Sequence, residues 1–165
     1  ISDVFALRAI KLNRQNLKRA YDNPQDIEAR TNMALASLFA GLAFNNTKTA
    51  ACHSISYPMT FNYNIPHGLA VSITIKEVIK FNNQIVPEKV AQIVEEFGSS
   101  SLEAFVEEMP GLMQSIGLPV RLRDLKLKLE DIELLVSQSV NPDRMKNNPA
   151  QLSRQDIHKI LTNIF

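Results

Sequence analysis

Pro58 and Pro66 stand between His53 and His67, and together they constrain what this part of the chain can become. Proline has no backbone N–H, and its ring crowds the preceding turn, so one continuous helix across residues 53–67 is disfavoured. On a single straight helix the two imidazoles would lie about 21 Å apart, too far to share an ion. A break between the prolines lets the chain double back and bring both rings to one point. Two neutral imidazoles suit a first-row divalent ion such as iron or zinc. Spacing alone leaves a second reading open, that these are simply two of the three histidines in the chain.

Apolar residues recur at helical spacing almost throughout, which predicts an all-α fold in one helical domain over residues 1–165. Val4, Leu7, Ile10, Leu17 and Tyr21 give a first helix that Asp3 is placed to cap and that Asn23-Pro24 ends. The second helix, 25–45, carries Ala34, Ala36, Ser37, Ala40, Gly41 and Ala43 and reads as a central core helix, with close packing as the reason for Gly41. Residues 68–82 read as one buried helix, begun by Pro66 with Asn64 as its cap. Further helices are expected at 87–97, 102–116, 129–140 and 154–164. Ser101 and Ser153 are their natural caps. Pro110-Gly111, Leu118-Pro119 and Asn141-Pro142 are the expected breaks.

A net charge of +1 removes any reason to expect nucleic acid as a partner. No apolar run is long enough to span a bilayer, so no membrane partner is expected. The single cysteine, Cys52, excludes an internal disulfide and fits a reducing, cytoplasmic setting. With five glycines and none in a G-x-G-x-x-G spacing, the chain carries no nucleotide-binding fingerprint.

The stretch ARTNMALASLFAGLAFNNTKTAACHSISYPMTFNYNIPHGLAVSITIKEVIKFN, from Ala29 to Asn82, resembles the signature region of the iron-containing (group III) alcohol dehydrogenases, which runs like "ARxxMxxASxxAGxAFxNxxxxxxHxxxHPxxxxxxxPHG". The run Asn147-Asn148-Pro149, followed by Leu152-Ser153-Arg154-Gln155-Asp156-Ile157, is similar to that family's ending. The resemblance implies a dehydroquinate synthase-like fold with two domains. An N-terminal domain would hold NAD or NADP, and a C-terminal helical domain would bind Fe2+ or Zn2+ through one Asp and three His. His53 and His67 match the last two of those ligands. The first two, in a segment like "GxDAxxHxxE", have no counterpart in this sequence. The expectation is therefore a C-terminal part whose N-terminal nucleotide-binding domain is missing, inactive by itself, with homo-oligomerisation left open.

For the whole polypeptide the resemblance implies NAD(P)-dependent interconversion of a small alcohol and aldehyde, in which the ion polarises the substrate oxygen. Most family members have histidine where this chain has Tyr57, so Tyr57 is the candidate catalytic residue that departs from the pattern. Its hydroxyl can hydrogen-bond a substrate or join a proton relay; otherwise it is a packing aromatic beside Pro58. The run NTKTAACHSISYPMT is also similar to a phosphonoacetaldehyde-reducing branch, which makes Lys48 a candidate partner for an anionic substrate group. His158 and the cluster Glu103, Glu107 and Glu108 read as solvated helix faces, and Cys52 as a small buried thiol. The alternative function is a noncatalytic helical interaction domain on the same scaffold.

Overall fold

The structure is a computed structural model that describes residues 1–139 and 145–165. The helix limit expected at Val140 and the break expected at Asn141-Pro142 lie outside the described residues. Helices run in the order α1 Ser2–Asp22, α2 Ile27–Thr47, α3 Ala51–Tyr63, α4 His67–Ser72, α5 Ile75–Asn82, α6 Pro87–Phe97, α7 Leu102–Ser115, a 3-10 turn Leu122–Leu125, α8 Asp131–Ser139 and α9 Arg154–Asn163. No strand occurs among the described residues, so the all-α expectation holds. None of the described helices is long and apolar enough to cross a membrane.

These helices gather into two compact units, residues 1–48 with 88–117, and residues 49–87 with 118–165. The first unit is built on α1 and α2, which pack antiparallel along their lengths. The reversal is local. The Asn23 side chain accepts the Gln25 N–H at 3.1 Å, and Asp26 caps α2 by accepting the Ala29 N–H at 3.0 Å. Arg19 then bridges Asp26 and Glu28, at 2.9 Å each. Ala29, Ala36 and Ala43, spaced by sevens, are the buried residues of α2. On that side Asn32 donates to Asn16 and Phe39 stacks on Phe5 of α1.

The expectation of a central core helix is therefore corrected: α2 buries one narrow stripe of methyl groups, while Leu35, Leu38, Leu42 and Phe44 remain exposed. The reading of Gly41 is corrected too, because a Cβ there would meet nothing within 4 Å. In the same unit, Ser101 caps α7 by accepting the Ala104 N–H, and Phe97 of α6 packs edge-on against Phe105 at 4.8 Å. Pro110 does not interrupt α7, which is continuous from Leu102 to Ser115.

In the second unit α3 packs on α8, and α8 on α9. Ile55, Met59, Leu135, Ile157 and Leu161 have no accessible surface, and full burial of such side chains contributes about 1.5–3 kcal/mol each. Ser153 and Asp156 form a reciprocal capping box at the start of α9, as the sequence indicates. The buried carboxylate of Glu77 on α5 is held by Lys80 at 3.1 Å and by Asn163 of α9 at 2.8 Å. The helix expected across 68–82 is two helices. Thr74, buried at the junction, donates its hydroxyl to Val71 O at 2.9 Å.

Candidate metal centre

The turn between α3 and α4 brings the two histidines together, and it falls between the two prolines, close to Pro66. Pro58 lies inside α3, which continues for five more residues. The reversal begins at Asn64, whose left-handed conformation (φ 53°, ψ 28°) ends α3 with its N–H bonded to Thr60 O at 3.1 Å. Asparagine tolerates this conformation better than most residues, which explains its place here. Asn64 is thus the C-cap of α3 rather than the N-cap of the next helix. Pro66, at φ −51° and ψ 130°, launches α4 with His67 as its first residue.

The result is that the His53 and His67 ring centroids lie 5.4 Å apart, with their planes inclined at 59°. Two imidazoles on one tetrahedral ion, with bonds of about 2.1 Å, place their centroids about 5.3 Å apart. The donor set and its spacing therefore suit a shared divalent ion. Tyr57, one turn after His53 on the same side of α3, lies with its ring 5.6 Å from that of His67. Tyr57 and His67 are exposed and His53 is half-buried, so the cluster opens to solvent. Among the described residues no group of three or more His, Cys, Asp and Glu side chains converges in a way that could hold an ion.

The other candidates have their own surroundings. Lys48 belongs to the first unit, where it forms the exposed C-cap of α2 with a positive φ of 65°. Burial, the main influence, pushes the Cys52 thiol up to about 11, against a smaller opposing hydrogen bond with Thr74. His158 sits on the solvated side of α9 beside Glu133 at 3.3 Å. Glu108 accepts a hydrogen bond from Ser99, and the glutamates of α7 stay on its surface. Ser54 went unnoticed in the sequence. Its buried hydroxyl donates to Ser139 O at 2.5 Å and joins α3 to α8 one residue beyond His53. No local pattern could have pointed to a partner 85 residues away.

An all-helical chain with two imidazoles set at metal-sharing distance across a helix–turn–helix is the class that fold and site define. The family model described as "Fe-containing alcohol dehydrogenase family, C-terminal" matches residues 1–165, and the chain belongs to that family. It is 31% identical to the 1,3-propanediol dehydrogenase of Klebsiella pneumoniae, over all of this chain and 45% of that protein. It is 33% identical to the NAD-dependent methanol dehydrogenase of Bacillus methanolicus, over 99% of this chain and 45% of the other. The chain thus spans less than half the length of these curated relatives. Among solved structures, a 1,3-propanediol oxidoreductase superposes with a TM-score of 0.93 at 31% identity, covering 99% of this chain and 45% of that one. A sulfoacetaldehyde reductase from Bifidobacterium kashiwanohense, in complex with NAD+, superposes with a TM-score of 0.91 at 32% identity, covering 99% and 43%.

Proposed function

We propose that residues 1–165 are the helical, metal-binding part of a two-domain NAD(P)-dependent alcohol dehydrogenase or aldehyde reductase, with the nucleotide-binding domain on preceding sequence. The observation that carries this reading is the His53–His67 pair at 5.4 Å in a chain matched over its whole length by the family model. Both side chains would hold Fe2+ or Zn2+ through neutral nitrogens. When bound, the ion supplies Lewis-acid polarisation of the substrate oxygen, while hydride moves between substrate carbon and nicotinamide.

The chain's own residues orient and bind. The turn at Asn64–Pro66 holds the two imidazoles at a fixed separation before any ion arrives, which lowers the ordering cost of binding. Tyr57 places a phenol beside His67, where it can donate to or accept from a substrate oxygen. Lys48 offers a cation to a substrate that carries its own anion. Two features favour that finer assignment: the NTKTAACHSISYPMT run, and a solved relative that acts on sulfoacetaldehyde, an aldehyde bearing a sulfonate. Phosphonoacetaldehyde is the phosphonate counterpart we propose. We place the enzyme in the cytoplasm.

The second reading, a noncatalytic interaction domain, draws on the absence of a complete ligand set among the described residues. One experiment separates the two. Residues 1–165 alone should retain little metal after dialysis and show no NAD(P)H-linked turnover of short aldehydes. The same residues joined to the preceding domain should do both, and should lose both on His67→Ala. A joined protein that retains neither metal nor turnover supports the interaction domain instead.

A further inference from the structure

The start of α3 has no cap of its own. Its N-cap is Ala50, which has no side-chain acceptor for the free N–H groups of the first turn. The carbonyl just before this end is held from a distance. Asn147 donates its Nδ2 to Thr49 O at 3.1 Å, across 98 positions of sequence. Its neighbour Asn148 is buried, and exchanges two amide bonds with Asn82, at 2.7 and 3.3 Å, while also donating to Ala150 O at 2.7 Å. Asn82 is the last residue of α5, and only Ile73 and Thr74 separate α5 from α4, which His67 begins. The Asn147-Asn148 dipeptide therefore grips two places at once: the peptide four residues before His53, and the end of the helical pair that begins at His67.

We infer that Asn147 is a positioning residue, which with Asn148 sets the separation and tilt of the His53 and His67 rings. The inference rests on the proposed metal-binding reading only for its consequence; the positioning itself is a statement about two rings. The chemistry of an amide side chain allows it, because the group donates and accepts at once without carrying charge, and Asn82 and Asn148 each do both in their exchanged bonds. Ser54 supplies a second tie just beyond His53 through Ser139 O, so His53 lies between two long-range anchors.

The test uses the 165-residue chain with two readouts. The first is the nuclear Overhauser cross-peak between the His53 and His67 ring protons. The second is titration with Cu2+, the divalent ion that imidazoles hold most tightly. Asn147→Ala should lose the cross-peak and weaken Cu2+ binding about tenfold, the lower end of what removing a partner outside the ligand set costs. Amide exchange in α8 and α9 should stay as protected as in the parent. Asn147→Asp, which keeps the shape but removes the donor, should behave alike and decides the matter if the alanine variant fails to fold. A retained cross-peak in these variants overturns the inference, and so does a loss of Cu2+ binding that only follows general loss of exchange protection. His67→Ala is the separate control. If it binds Cu2+ as well as the parent, the shared-ion reading falls, while the cross-peak still decides the role of Asn147.

Discussion

The Tyr57 ring lies 5.6 Å from that of His67 and only 30° from parallel to it, so a phenol stands beside the imidazole pair. This placement gives different costs to the two side chains. In the full-length protein, His67→Ala removes a proposed ligand and leaves a poorly held ion, so activity should nearly vanish along with bound metal. Tyr57→Phe removes one hydroxyl, worth about 0.5–1.5 kcal/mol, or up to about tenfold in kcat/KM if the bond is made in the transition state. Parallel measurement of metal content and kcat/KM checks both. A Tyr57→Phe variant as damaged as His67→Ala would give the phenol a direct part in proton transfer.

Gly41 is expected to be a weak point without a packing purpose. It lies in the interior of α2, and a Cβ there meets nothing within 4 Å. Gly41→Ala should therefore stabilise the chain by about 1 kcal/mol, the difference in helix propensity. Urea unfolding measures it as a raised midpoint with unchanged slope. A lowered midpoint would mean that something else occupies the space beside Gly41 in solution.

Asp26 gives the fold a dependence on acid. Its carboxylate accepts the Ala29 N–H and pairs with Arg19, and these contacts, the backbone bond first, hold it below the ordinary carboxylate range. A group with a lowered folded pKa contributes stability that is present above its unfolded value, about 3.9, and is lost as pH falls through the folded one. Stability should therefore drop below about pH 4 through this residue. Asp26→Asn keeps an acceptor for the cap but cannot titrate. Its unfolding midpoint should fall less steeply over that window than the parent's, and equal slopes would remove Asp26 from the acid response.

Much of this was legible in the sequence, and the failures share a cause. Ser101 and Ser153 were readable as caps because a cap is a local bond, satisfied within three residues. The chain reversal that joins His53 to His67 was readable as one of two possibilities, and it falls between the prolines as read, though only at their far end. Pro58 is accommodated within α3, and Asn64, a residue type equally at home as an N-cap or in a left-handed C-cap, takes the second role. The split of 68–82 was hidden because its apolar pattern runs on unbroken, while a buried Thr74 hydroxyl closes the junction. The small residues of α2 showed that some helix comes close, but not that only every seventh one would be covered. The bonds from Asn147 and Ser54 span 98 and 85 positions and leave no local trace.

Lys48 tests the substrate class. It caps α2 with a positive φ and extends an exposed amine from a backbone conformation that favours glycine. If the substrate carries a phosphonate or sulfonate, a charge-assisted bond to this amine should contribute about 1.5–3 kcal/mol, or roughly ten- to a hundredfold in kcat/KM. Lys48→Ala in the full-length protein should lose that factor with phosphonoacetaldehyde and leave a neutral short aldehyde unchanged. Because any replacement also touches a strained backbone, Lys48→Gly serves as the second variant. It lacks the amine but relaxes the turn, so it should raise the unfolding temperature while losing the same selectivity. Equal losses on charged and neutral aldehydes in both variants would trace the effect to the fold of the segment, and would leave the anionic substrate without support.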